Sequence, residues 1–252
     1  MTVEKFTAGD TRSIGYDAVC EMLKNYNPGK LAADMMRLRI SGAASSECDD
    51  TYYVAVENGE AIARHWMGWG KHADAIGNWG NFYTKEEFRG RGVGREVLSA
   101  WYADFLSRKE LPIAFFCTAA NEGLVSVYSR FGFVSALKSG DPCPLYLPVG
   151  NSPENFRDFC DFYYKPSETV IKKAAGIGWR HEIDCLLRFC FMDNGLDFGI
   201  NGVESLEEAL LRYPERAELF FAENGHAVGW AIDGVKQIHP SYLNSKIVNE
   251  NQ

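Results

Sequence analysis

The chain has 252 residues, 46% of them hydrophobic and 24% charged, with a formal net charge of −8. That is ordinary globular usage, enough for one large domain or two ordinary ones, and it argues against disorder. No apolar run reaches the roughly 18–20 residues that span a bilayer, the opening MTVEKFTAGD lacks the basic and apolar regions of a signal peptide, and the acidic balance argues against a nucleic-acid footprint. The expected setting is the cytoplasm, with no membrane or nucleic-acid partner. Seven cysteines, with no CxxC pair and no zinc-like Cys/His spacing, read as reduced, mostly buried thiols and no metal site.

In chain order, Ser13–Tyr26 has helical apolar spacing and stops at Asn27-Pro28-Gly29. Leu31–Ile40 reads as a second short helix and Ser41–Asp50 as a polar loop. Tyr52–Val56 and Ala61–Trp69 are β-rich runs flanking Asn58-Gly59, a strong hairpin signal. A third strand, Asn78–Thr84, leads into a Gly-rich loop at Lys85–Gly94 and an amphipathic helix, Arg95–Arg108. Ile113–Thr118 reads as a strand and Glu122–Phe131 as a helix capped by Asn121 and ended by Gly132. Phe133–Leu137 and Leu145–Val149 close the series as strands around a turn at Ser139–Pro144. The order ααβββ-loop-αβαββ implies an α+β fold, a mixed and mostly antiparallel sheet flanked by helices.

After Gly150 the character changes, which divides the chain into 1–150 and a C-terminal accessory α+β region, 151–252. Pro153–Tyr164, Glu168–Ala175 and His181–Asp193 read as helical. Ser205–Tyr213 reads as a helix with Ser205 and Glu208 as a capping box. Glu218–Ala222 and Ala227–Ile232 form a second hairpin around Asn224-Gly225. Its AENGHAV echoes VENGEAI of the first hairpin, a weak internal repeat.

The chemistry concentrates in FYTKEEFRGRGVGREVL, residues 82–98. A strand feeds a loop with Gly90, Gly92 and Gly94, and a helix begins at once. Glycines let backbone approach a ligand closely, and the first helical amides have no intrahelical partner. The helix dipole and Arg89, Arg91 and Arg95 add positive charge, which makes a site suited to a pyrophosphate. No Gly-Lys-Ser/Thr follows, which excludes a Walker A loop, and the preceding antiparallel-type strands do not fit a Rossmann unit.

With Arg89, Gly92 and Gly94 as Arg/Gln-x-x-Gly-x-Gly/Ala, and ANEGLVSVYSRFGF over Ala120–Phe133 as a second motif, residues 1–150 resemble the GNAT superfamily of acetyl-CoA-dependent N-acetyltransferases. The resemblance implies acetyl-CoA as acyl donor, its pyrophosphate on the amides of Arg89, Gly90, Arg91, Gly92, Val93 and Gly94, with Arg95 alongside. It implies a β-bulged strand Asn78–Thr84 splayed from Ile113–Thr118, with pantetheine against Phe82, Tyr83 and Thr84 and a contact from Asn121. It implies Tyr128 as the acid that protonates the leaving thiolate.

The acceptor implied is a primary amine of a small molecule or peptide. Deprotonating an alkylammonium of pKa about 10.4 at neutral pH costs about 4.6 kcal/mol, so a base or water chain is useful. Many relatives place a glutamate on the strand before the loop, but GNWGNFYT has no carboxylate. Glu86 and Glu87 read as solvated loop charges. His65, His72, Asp74 and relayed water remain candidates for the base, and Trp66, Trp69 and Trp79 read as core before they read as a cation site. The alternative is a catalytically reduced CoA-binding sensor with a C-terminal interaction region, and a homodimer is open in either case.

Overall fold

The computed structural model describes residues 1–24, 30–137, 143–174, 176–196 and 203–250. The turn read at Asn27-Pro28-Gly29 lies outside them, as do residues 139–142 of the turn read over Ser139–Pro144. Contacts divide the chain into two compact units, Met1–Trp69 with Trp79–Leu111, and Gly70–Asn78 with Pro112–Gln252.

The first unit opens with a strand that the hydrophobic pattern did not announce, β1 (Thr2–Thr7). It is the edge of its sheet and buries Phe6, so apolar alternation is faint. Helices α1 (Ile14–Lys24) and α2 (Lys30–Ile40) follow. Strands β2 (Cys48–Glu57) and β3 (Glu60–Gly70) form the expected hairpin, with Asn58 and Gly59 at φ +52° and +80°. β1 pairs antiparallel with β2, from Thr2 opposite Val56 to Thr7 opposite Thr51. Phe6, Val19, Leu23, Met36, Ile40, Tyr52 and Val54 form the core under the two helices. The last strand, β4 (Ile76–Thr84), gives its second half to this unit and its first three residues to the other. Asn81 lies in it at φ +51°, a left-handed residue that breaks the pleat as a bulge does.

Helix α3 (Val93–Ser107) completes the unit, burying Val97, Leu98 and Trp101. Trp101 packs 5.3 Å from Trp79 and 5.6 Å from His65, ring to ring. The far end of α3 is tied down by Asp104. Its carboxylate accepts hydrogen bonds from Lys5 of β1 and Tyr53 of β2, and from Arg108 at 3.0 Å.

In the second unit, β4 runs parallel to β5 (Ala114–Ala119) from Ile76 opposite Ala114 to Asn78 opposite Phe116. Helix α4 (Glu122–Tyr128) continues as a 3-10 turn to Phe131, and β6 (Val134–Ser135) and β7 (Cys143–Pro148) extend the sheet as β4-β5-β7-β6. Helix α5 (Phe156–Tyr163) places Phe156 and Phe159 against Phe116 at 5.9 and 5.8 Å. Residues 168–175, read as helical, form strand β8 (Thr169–Ala174) instead. The β-branched run Thr169-Val170-Ile171 favours a pleated, half-buried surface, and the antiparallel neighbour at Ala217–Ala222 decides the matter.

The helix read over His181–Asp193 is a π-helix, Glu182–Leu187, that passes into α6 (Arg188–Asp193). Helix α7 (Val203–Arg212) already includes Ser205, so the Ser205–Glu208 capping box is not at its start. Strands β9 (Ala217–Ala222) and β10 (Ala227–Ile232) form the expected second hairpin. Two further strands were not anticipated, β11 (Val235–Ile238) and β12 (Lys246–Asn249), the latter parallel to β8. The second sheet runs β11-β10-β9-β8-β12.

Asp104 makes the anchoring of α3 testable. Burial alone would raise its pKa, but hydrogen bonds from Lys5, Tyr53 and Arg108 hold it below the ordinary carboxylate value. A depressed folded pKa means stability that is present above the unfolded pKa of about 3.9 and lost as pH falls through the folded value. Asp104→Asn is expected to cost about 1–3 kcal/mol at pH 7, and the difference from wild type should close in urea titrations taken below pH 3.9.

Candidate functional site

β4 ends at Thr84, and the chain turns through the 3-10 helix Glu86–Phe88 before α3 begins. Gly92 caps α3 at φ +83°, a left-handed conformation that a β-carbon resists. Gly94 is required for a different reason. A β-carbon there would stand 2.8 Å from the Phe82 ring and 3.2 Å from Thr84 Oγ1. With hydrogen in its place, the first turn of α3 lies directly on the end of β4.

Thr84, Arg89, Gly90, Gly92, Val93, Gly94 and Arg95 line one cavity of about 300 Å³, to which Phe88 also contributes. The loop and helix residues predicted to hold a pyrophosphate are thus largely brought together. Arg89 donates from Nε to the Thr84 carbonyl at 3.1 Å, which fixes its stem and leaves both terminal nitrogens without a partner among the described residues. Arg95 is exposed and has no acidic partner among them either, its Nη2 lying 3.5 Å from where a Gly92 β-carbon would be. Arg91 turns away, over the Phe88 ring at 4.8 Å and 3.9 Å from Glu57. Val93 is buried and anchors the turn, and Tyr83 lies under the Arg64 guanidinium at 5.3 Å. Two unpaired guanidiniums, a helix N-terminus and a glycine floor can bind a doubly charged anion.

The other predicted residues belong to the second unit. Asn121 caps α4, its Oδ1 accepting from the Leu124 amide at 3.2 Å, which leaves its side-chain NH2 to donate. Tyr128, the last residue of α4, is 4% exposed with its ring 6.4 Å from Phe133. Burial, with Cys117 nearby, pushes its phenol well above the ordinary value, so it keeps its proton at neutral pH.

The candidate bases separate cleanly. His65 is fully buried against Trp79 at 4.4 Å, and desolvation takes its pKa down to about 3, so it is a neutral core residue. Trp66, Trp69 and Trp79 are buried in the same unit and pack as core. Asp74 is 3.6 Å from His226. His72 stacks on Trp179 at 3.7 Å, with Nδ1 3.0 Å from the Ala73 carbonyl and Nε2 3.3 Å from Glu182. Nδ1 faces a carbonyl, while Nε2 lies beside the Glu182 carboxylate without making a hydrogen bond to it, so a proton on the ring places positive charge next to that carboxylate. Burial opposes that charge, but Glu182 and the carbonyls of Ala73 and Gly178 outweigh it and raise the pKa.

Sequence reading missed the π-helix carboxylates. Glu182, completely buried, accepts from the Ile76 amide at 2.8 Å, and Asp184 accepts from the Asn78 side chain at 3.3 Å. The available signal was EIDC, two carboxylates in an otherwise apolar segment, where a π-turn is a common mark of function.

Residues 48–135 match the family model of the acetyltransferase (GNAT) domain. No curated protein matches this chain. Among solved structures, Escherichia coli ElaA is 14% identical, covering 58% of this chain and 99% of its own, with a TM-score of 0.44. An acyl-CoA N-acyltransferase from Pseudomonas aeruginosa is 16% identical, covering 57% and 95%, at 0.41. An aminoglycoside 6'-N-acetyltransferase complexed with coenzyme A is 12% identical, covering 61% and 99%, at 0.40.

The His72–Glu182 pair sets a pH dependence. A raised folded pKa means stabilisation that is complete below the unfolded value of about 6.5 and lost as pH rises through the folded one. His72→Gln should therefore lower the unfolding midpoint most at pH 5.5, with the gap from wild type narrowing by pH 8.5. A constant gap across that range would show that the ion pair does not form.

Proposed function

We propose that this chain transfers an acetyl group from acetyl-CoA to a primary amine of a small molecule or peptide. The observation that carries the reading is the glycine-floored cavity at the start of α3, where Arg89 and Arg95 have no acidic partner among the described residues. It fits a pyrophosphate in charge and in the close backbone approach that Gly94 permits.

Amides of Gly90, Arg91, Gly92, Val93 and Gly94 hold the phosphates; the Arg89 amide, expected among them, already donates to the Glu86 carbonyl at 3.1 Å, so Arg89 contributes through its guanidinium. Backbone groups of Phe82, Tyr83 and Thr84 extend along the pantetheine arm, and Asn121 donates its NH2 to the same arm. Acyl-CoA supplies the activated thioester. Water takes the first proton from the ammonium, the neutral nitrogen forms the new C–N bond as the C–S bond breaks, its surplus proton passes to solvent, and Tyr128, protonated at neutral pH, gives its proton to the leaving thiolate and regains one from solvent. The net charge of −8 favours cationic acceptors, and seven free thiols suit a reducing cytoplasm.

Residues 1–150 carry this chemistry in our reading, and 151–252 are an accessory partial repeat. Support comes from the strand order, since β11-β10-β9-β8 repeats β4-β3-β2-β1 with two helical segments between the first and second strand of each set. The sequence after β11 has no counterpart of the Arg-x-x-Gly-x-Gly loop.

Acetyl-CoA at about one hundred times its Kd should stabilise the protein by about 2.7 kcal/mol, read as a thermal shift. Arg89→Ala is expected to weaken acetyl-CoA binding roughly tenfold or more, and Gly94→Val to abolish it. Tyr128→Phe should leave binding intact while slowing thiol release about 100-fold. An absent thermal shift sinks the reading, whereas a shift without thiol release for any amine favours the sensor alternative.

A further inference from the structure

Two thiols of the second unit meet although 30 residues separate them in sequence. Cys160 lies on α5 and Cys190 on α6, and their sulfurs stand 3.5 Å apart. Cys190 is buried, whereas Cys160 is half-buried. No CxxC spacing marks the pair, because two different helices supply it.

Aromatic packing brings the two together. Phe156 and Phe159 of α5 and Phe189 of α6 converge on one ring, Phe116 of β5, at 5.9, 5.8 and 5.7 Å. Phe159 and Phe189 are the sequence neighbours of the two cysteines, so each cysteine backbone is pinned one residue from that shared ring. Hydrogen bonds hold the same backbones. The Tyr164 amide donates to the Cys160 carbonyl at 2.8 Å, and Asn194 Nδ2 donates to the Cys190 carbonyl at 2.8 Å. A close-packed interior resists displacement of either helix. The thiols themselves need only side-chain rotation. A disulfide is about 2.05 Å long, so the sulfurs have about 1.5 Å to close.

We propose that Cys160 and Cys190 are a redox pair that closes to a disulfide when the protein meets a peroxide and opens again under a thiol reductant. Exposure assigns the roles, since a peroxide meets the half-buried Cys160 before the buried Cys190. Burial pushes the Cys190 thiol up, with Cys160 and Asp193 adding to the effect, so it keeps its proton until it is called on. The pair lies outside the acyl-transfer machinery and does not depend on that reading.

The chemistry balances with hydrogen peroxide as oxidant. Cys160 loses its proton to solvent, and its thiolate attacks one peroxide oxygen. The S–O bond forms as the O–O bond breaks, which leaves a sulfenic acid and a hydroxide that takes up the solvent proton as water. The Cys190 sulfur then attacks the Cys160 sulfur. The S–S bond forms as the S–O bond breaks, and the departing hydroxide takes the Cys190 proton as a second water. The two thiols together give up two electrons, and one peroxide becomes two waters. The bond closes a loop that contains β8 and the π-helix, so it restricts the unfolded chain and braces the second unit.

The test treats the reduced protein with a small excess of hydrogen peroxide. The intact mass should fall by two hydrogens, titratable thiols should fall by two from seven, and digestion without reductant should give one peptide pair joined through Cys160 and Cys190. Oxidation should raise the Tm by about 5–10 °C, and dithiothreitol should reverse it. Cys160→Ser and Cys190→Ser should each abolish the joined peptides and the Tm gain. Cys190→Ser should also stop at the sulfenic acid, labelled by dimedone at Cys160, whereas Cys20→Ser should behave as wild type.

Seven thiols still titrating after peroxide, joined peptides through other cysteines, a link between two chains, or wild-type Cys160 halting as a sulfenic or sulfinic acid overturns the proposal. A Cys160–Cys190 disulfide that leaves the Tm unchanged overturns the bracing. If a serine variant fails to fold, the wild-type peptide map and its reversal by dithiothreitol decide.

Discussion

The second unit is organised around one buried charge, the Glu182 carboxylate. It is completely inaccessible, and an ion taken out of water costs several kcal/mol unless neighbours compensate it. Three groups do so within the unit. The Ile76 amide donates at 2.8 Å, the His72 ring, its pKa raised by Glu182, stands 3.3 Å away, and the Trp179 ring stacks on that imidazole at 3.7 Å. None of these can be given up cheaply, so the connection before β4 and the first residues of β4 are fixed to the π-helix. Asp184 follows from the same turn and reaches Asn78. A buried carboxylate that looks like a liability fixes the first residues of β4.

The first unit solves a complementary problem, how to leave positive charge uncompensated where it is useful. Exposed Arg91 and half-buried Arg108 each have a carboxylate within reach. Arg89 is instead held by a backbone carbonyl, which fixes its position without neutralising it. Asp104, the acid nearest to α3's far end, is occupied with Lys5, Tyr53 and Arg108. The helix therefore has a compensated C-terminal end and an electropositive N-terminal end, and the glycines at 92 and 94 let that end sit on β4.

How much of this was legible follows from the range of the interactions. The loop is local, since strand, glycines, arginines and helix are contiguous, and each residue type has its own reason to be there. The hairpins at Asn58-Gly59 and Asn224-Gly225 are local in the same way. β1 was invisible because an edge strand buries Phe6 and little else, and its partner is about 50 residues away. β8 was misread because its β-branched run is short, and the strand that settles it, Ala217–Ala222, lies far along the chain. The Glu182–Ile76 and Asp184–Asn78 pairs each span 106 residues and involve residue types that carry no signal of partnership. Their neighbour His72 illustrates the point. Alone it reads as a base poised near neutral pH, and only the fold shows it stacked on Trp179 beside the buried Glu182 carboxylate.

The repeated strand order then acquires a physical interpretation. A strand, two helical segments and a hairpin form a unit that buries apolar surface well in either half, so the order alone gives no reason for both halves to bind a nucleotide. What differs is the connection after the fourth strand. β4 has nine residues and leads into a glycine loop and a 15-residue helix, whereas β11 has four and ends at His239-Pro240. Proline has no amide hydrogen to offer, and the 3-10 turn there is three residues long, so no row of free amides forms. The first helical segment of the second half has gone the other way. It is a π-helix rather than an α-helix, and its Glu182 and Asp184 accept from the Ile76 amide and the Asn78 side chain of β4.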